Sequence, residues 1–258
     1  MQRGQTCHRI VILCLAATLG HSVLARGQGY SITFEANSRL FSFNPDTGSS
    51  TFIGNTGVAS VADLGQANDG TLFAASLTNL YTVNPLTAAT TSIGAFGATT
   101  QMVGLDFRSS GTLLGVSANG GVFQVNATTG AATTLFSTGL TFTGDIAFQS
   151  GNIAYATASF AGGSHLIALD LAAQTTADRG LIFSTKEMPG LDFTSDGRLL
   201  AFALTGEIYN IVNFTSSGAG TLLSTTTIPF AGVTLNPVPE PTTFWLVLAV
   251  GCWFARPR

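Results

Sequence analysis

Four aspartates are the residues best placed to do chemistry, because they recur on one short apolar run: Asp63 in VADLGQ, Asp106 in VGLDF, Asp145 in GDIAF and Asp192 in PGLDF. Asp106 and Asp192 share one register position, while Asp63 and Asp145 stand two places earlier, where other copies of the run carry glycine. Carboxylates gathered in one place can hold a divalent cation such as calcium, or bind a network of sugar hydroxyls. The bland alternative is structural: each carboxylate takes backbone N–H groups from a neighbouring turn, since a buried charge persists only when paired or hydrogen-bonded. The structural reading is preferred, and the identity of any metal is left open.

Other chemistries are poorly supplied. His165, in Gly162-Gly163-Ser164-His165, is the only histidine beyond the first 25 residues, and it reads as a polar turn residue. No GxSxG elbow accompanies it, and one histidine cannot make a two-histidine zinc site. Cys7, Cys14 and Cys252 all lie near the two ends, so the body has neither a disulfide framework nor a thiolate metal site. Between Tyr30 and Pro237 five basic residues face twelve acidic ones, a formal net of −7. Nucleic acid is excluded as a partner, because phosphate binding needs clustered lysine and arginine.

The elements that must position the aspartates repeat along the chain. Residues 102–135 contain four short apolar runs (Val103–Phe107, Leu113–Ser117, Val122–Asn126, Ala132–Leu135) cut by Gly, Ser, Asn and Thr, the pattern of four antiparallel strands joined by tight turns. The third run recurs as LFSF, LYTV, VFQV, LIAL and EIYNI, with Phe41, Tyr81, Phe123, Ile167 and Tyr209 spaced by 40, 42, 44 and 42 residues. A four-strand unit repeating every 40–45 residues or so marks a propeller blade. Such a sheet has two apolar faces, and radial stacking covers both. First strands line the channel of a propeller, which would bring the four carboxylates near its axis.

The ends of the body complete the count. Ser31–Ala36 matches a second strand, and Ala231–Asn236 matches a lone first strand. The expectation is an all-β body over 30–236: a β-propeller of five four-stranded blades, the first blade closed by the C-terminal strand. An open solenoid or a sandwich is the alternative. Asn44-Pro45-Asp46-Thr47-Gly48 and Asn126-Ala127-Thr128-Thr129-Gly130 should link third strands to fourth, and Asn68-Asp69-Gly70 and Ser195-Asp196-Gly197 first strands to second. The aspartates in these turns read as turn formers, not calcium ligands. Phenylalanines such as Phe41, Phe43, Phe107, Phe123 and Phe193 read as core between blades.

Both ends carry export features. Residues 1–25 hold Arg3 and Arg9, an apolar stretch over 10–19 and Val23-Leu24-Ala25, which reads as a signal peptide cut by signal peptidase after Ala25 or after Gly27. After the body come Val238, Pro239, Glu240 and Pro241, an apolar helix expected over 244–255, and Arg256-Pro257-Arg258. Order, spacing and position of these parts over 237–258 resemble the PEP-CTERM sorting signal of exported bacterial proteins. The resemblance implies transient inner-membrane anchoring, processing by an exosortase near Pro239-Glu240-Pro241, and a final place at the cell surface or in an extracellular matrix. The repeats themselves resemble uncharacterised secreted bacterial propeller domains, distantly similar to the NHL and SMP-30-like groups. The metal-binding acids of lactonase-type relatives find no residue-by-residue match here.

These features point to an exported, surface- or matrix-associated, non-catalytic propeller that binds a glycan, such as an exopolysaccharide, or another exported protein. No cofactor is required by that reading. The alternative is a metal-dependent hydrolase or lactonase using the acids of the channel.

Overall fold

None of the apolar runs in the body is long enough to carry a helical period, and nearly all end at a glycine, asparagine or aspartate able to turn the chain. Every regular element of the described residues is accordingly a β-strand. The computed structural model of the protein describes residues 29–97 and 101–235. The signal peptide expected over 1–25 and the sorting segment over 237–258, with its helix 244–255, lie outside them.

Blade 1 contains β1 (Gly29–Ile32), β2 (Arg39–Phe43) and β3 (Ser50–Asn55). Blade 2 contains β4 (Val61–Gln66), β5 (Leu72–Ser76), β6 (Asn79–Val83) and β7 (Thr90–Ala95). Blade 3 follows with β8 (Met102–Phe107), β9 (Leu113–Ser117), β10 (Gly121–Val125) and β11 (Ala132–Ser137). Blade 4 has longer strands, β12 (Phe142–Ser150), β13 (Ile153–Phe160), β14 (Gly163–Asp170) and β15 (Thr175–Phe183). Blade 5 comprises β16 (Gly190–Phe193), β17 (Leu199–Phe202), β18 (Glu207–Ile211) and β19 (Gly220–Thr225). The last strand, β20 (Gly232–Thr234), joins blade 1, giving the order β20-β1-β2-β3. All five sheets are four-stranded and antiparallel, and the inner strands β20, β4, β8, β12 and β16 pack each against the next around a closed ring. The fold is a five-bladed β-propeller.

The shared blade has tighter bounds than its sequence implies. The second strand of blade 1 is Gly29–Ile32, not Ser31–Ala36, because Ile32 is the last residue paired on both sides, with Leu40 and Gly232. Beyond it the chain turns: Thr33 N–H reaches Arg39 O, and Glu35 pairs with Arg39 at 2.6 Å. The closing strand is likewise shorter than 231–236, although Ala231 N–H still donates to Ile32 O.

Five apolar clusters fill the joints between blades. At the joint between blades 5 and 1, which the chain crosses to reach its closing strand, Phe43, Phe202 and Phe230 contact one another with centroids 5.1–5.6 Å apart. Outside that core Arg198 of blade 5 binds Asp46 of blade 1 at 2.8 Å, an exposed pair that adds little by itself.

The expected turns are present. Gly48 and Gly130 adopt φ of 71° and 80°, and the Asn44 and Asn126 side chains accept the N–H groups two and three residues on. Blades 2 and 4 use Asn84 and Asp170 in the same way, but force Ala88 and Gln174 into the left-handed position. Gly70 and Gly197 close three-residue loops between first and second strands.

Candidate functional site

The inner strands fix the site. Each is buried along its whole length or nearly so, apart from the protruding end of β12 beyond Ala147, since it is covered on both faces by neighbouring blades and meets the other inner strands at the axis. That leaves no room for bulk. A Cβ on Gly144 would sit 2.3 Å from Pro189 O, and one on Gly232 would sit 2.1 Å from Asp63 Oδ1. The axial positions are therefore glycine, alanine or threonine wherever they are not aspartate: Gly104, Gly190 and Gly232 share the level of Asp63 and Asp145, and Gly65, Ala147 and Thr234 that of Asp106 and Asp192. The two levels are two residues apart on each strand, roughly 7 Å.

All four aspartates reach the axis, and all are buried. Each accepts a backbone N–H from the next blade. Asp63 Oδ2 takes Leu105 N–H at 2.5 Å, and Asp106 Oδ2 takes Phe148 N–H at 2.9 Å. Asp145 Oδ2 takes Leu191 N–H at 3.2 Å, and Asp192 Oδ2 takes Leu235 N–H at 2.6 Å. The second oxygen of three of them accepts from its own strand: Phe107 N–H on Asp106, Ile146 N–H on Asp145 and Phe193 N–H on Asp192, at 2.6–2.7 Å. The carboxylates are thus ties between blades, running in one direction around the ring from blade 2 through to blade 1. The bonding partner is the next inner strand and not a turn.

Burial dominates their electrostatics. It pushes Asp63, Asp106 and Asp145 well above the usual carboxylate range, with repulsion among the four adding to it. Asp192 is pushed up to about 7, against the opposing pull of its bonds from Leu235 and Phe193. Among the described residues no three His, Cys, Asp or Glu side chains stand close enough to hold a metal ion. What the axial acids visibly do is accept hydrogen bonds, with carboxyls raised into a range where they can take up protons.

The other sequence candidates are placed apart from the axis. Asp69 and Asp196 serve their own turns, Asp69 accepting Thr71 N–H at 2.9 Å and Asp196 pairing with Arg198 at 3.1 Å. His165 is not in a turn: blade 4 extends its strands, so the residue belongs to β14, stacks on Phe160 at 4.7 Å and bonds Asp178 at 2.9 Å. Ser164 donates to Lys186 O, so it is not poised for a triad with its neighbour. Phe43, Phe107, Phe123 and Phe193 are buried between blades, while Phe41 is only half-buried, beneath the exposed Phe52 and Arg39. Sequence reasoning missed the Lys186–Glu207 pair beside Thr205 and the Phe43–Phe202–Phe230 cluster. The aromatic cluster had a signal: Phe202 and Phe230 flank the seam where the count of strands predicts closure.

No protein-family model matches the sequence, and no curated protein sequence does. Solved structures do match in shape. A chain in the crystal structure of a nidogen/laminin complex superposes with a TM-score of 0.59 at 12% identity, over 79% of this chain and 81% of that one. A symmetrical protein from a study of de novo evolutionary emergence and folding constraints gives 0.50 at 17% identity, over 80% and 98%. Identities this low show the fold alone.

Proposed function

We propose that this chain is an exported, non-catalytic propeller that serves as a binding scaffold for another exported protein at the cell surface or in an extracellular matrix. The observation that carries the reading is that the acids of the channel already have partners. Seven of their eight carboxylate oxygens accept backbone N–H groups, four of these from the next blade and three from the acid's own strand. A site whose acids tie the ring is poorly suited to turning over a substrate.

The way the propeller is tethered follows from its topology. β1 begins and β20 ends side by side, with Tyr30 opposite Thr234, on the face that carries the turns between first and second strands. In this reading the export signal and the PEP-CTERM-like segment with Val238, Pro239, Glu240 and Pro241 both attach there. The opposite face, bearing Phe34 and Leu204, then points away from the inner membrane and meets the partner. A chain of similar fold in a nidogen/laminin complex gives a precedent for a propeller in a protein assembly. A glycan remains the second ligand class for the same face.

Because residues 29–235 contain no cysteine, single thiols can test the orientation. Leu204→Cys places one on the outward face and Leu86→Cys one in the turn between β6 and β7, at 42% and 84% exposure. Crosslinking on cells of the native host should join a second exported protein to the first variant and not to the second. Equal adducts from both sites, or cation-dependent lactone hydrolysis by the purified protein, would overturn the proposal.

A further inference from the structure

Asp63 is the exception among the axial acids. Its Oδ2 is bonded to Leu105, but its Oδ1 is buried and has no hydrogen bond of good geometry, the nearby Leu64 N–H only helping to draw the carboxyl down. The carboxyl of Asp145 lies within bonding reach of the Asp63 carboxyl. Both oxygens of Asp145 are already acceptors, for Ile146 N–H and Leu191 N–H. Two carboxylates cannot meet in a dry site with both ionised, and a hydrogen bond between them requires a proton on one.

The surroundings offer nothing else to neutralise the pair. The elements packed on β4 contribute Asp106 from β8, Asp145 from β12 and Tyr30 from β1, while β5 and β20 contribute no ionisable side chain. Asp192 on β16 adds a further negative group to the field. Arg108, just past β8, turns away to Gly151 O and Asn152 Oδ1. Among the described residues no lysine, arginine or histidine is bonded to any of the four acids.

We propose that the axis of the propeller holds one proton shared between the carboxyls of Asp63 and Asp145, and that this makes the ring tightest in acidic surroundings. The otherwise unpartnered Asp63 Oδ1 is satisfied by that bridge whichever of the two carboxyls carries the proton. The unfolded chain releases it above about pH 4, whereas the folded chain keeps it until the medium is more alkaline. A raised carboxyl value therefore contributes stability in full below about pH 4, and that contribution is lost as pH rises through the folded value. The inference does not depend on export or on any partner.

Asp63→Asn is the decisive variant. The amide keeps an oxygen for Leu105 N–H and supplies a permanent N–H to Asp145, so the shared proton is no longer needed. Its melting temperature should match that of the original protein near pH 4 and exceed it by about 5 °C near pH 8. Asp145→Asn should melt lower at both pH values, because its NH2 group would face Ile146 N–H or Leu191 N–H. In the unsubstituted full chain, carboxyl 13C NMR with labelled aspartate should show one more protonated aspartate near pH 6 than in Asp63→Asn, Asp192 contributing its own signal to both. An unchanged pH slope in Asp63→Asn, or equal numbers of protonated aspartates in the two proteins, would overturn the proposal.

Discussion

The innermost and outermost strands of each blade are cut from the same repeat, yet they solve opposite problems. β4, β8 and β16 are buried almost throughout and still carry Asp63, Asp106 and Asp192. β3, β7, β11 and β19 are largely exposed and carry Ser and Thr with hardly a charge. The costly groups sit in the driest place because that is where backbone N–H groups of the next blade are left without a partner in their own sheet. A carboxylate there replaces water as the acceptor. The rim faces the converse hazard, an open edge that could pair with another chain. Each outer strand answers it with a bulge, the extra residues being Ile53, Ile93, Leu135, Arg179 and Leu223, and the longer β15 adds a second at Ile182.

Four changes should sharpen that contrast, beginning with the largest effect. Deleting Gly232–Thr234 removes the inner strand of blade 1 and the peptide that Asp192 holds, so most of a total stability of about 5–15 kcal/mol should vanish. Loss of cooperative melting by circular dichroism checks this. Phe230→Ala empties the space against Phe43 and Phe202 and should cost about 3–5 kcal/mol by urea denaturation. Asp106→Ala leaves Phe107 N–H and Phe148 N–H buried and unbonded, at about 1–3 kcal/mol each. Its partner at the rim, Thr91→Ala on exposed β7, should change stability by less than about 0.5 kcal/mol. If Thr91→Ala proved as damaging as Asp106→Ala, the division between axis and rim would fail.

Asp192 supplies a pH test of the same contrast. Its value of about 7 lies above that of an unfolded aspartate, so its contribution is complete below about pH 4 and is lost as pH rises through 7. Chemical denaturation at a series of pH values should show stability falling across that window. Asp69, an exposed turn residue whose carboxylate is held below the usual range by Thr71, should leave the profile unchanged when replaced by asparagine.

The blade count was legible because a repeat writes its period into the apolar runs, and the spacing from Phe41 to Tyr209 carries it directly. The lone strands at each end were legible for the same reason. Less so were their limits, since SITFEA continues to look like a strand beyond Ile32, the last residue with partners on both sides. Blade 4 misled in the opposite way: Gly162-Gly163 looks like a long turn, but the lengthened hairpin draws Gly163, Ser164 and His165 into β14. The aspartates were recognised as an axial set, while the direction of their bonds was not. Those bonds span 42, 42, 46 and 43 residues, one repeat each, and no local pattern reveals which neighbouring backbone a buried carboxylate meets.

The role of the axial acids as ties is tested most directly by melting the purified protein in a chelator and in millimolar calcium, magnesium or manganese. A ring tied by its own N–H bonds should melt at the same temperature in every case. A rise of several degrees with one cation, abolished by Asp63→Asn, would instead make the channel a metal site.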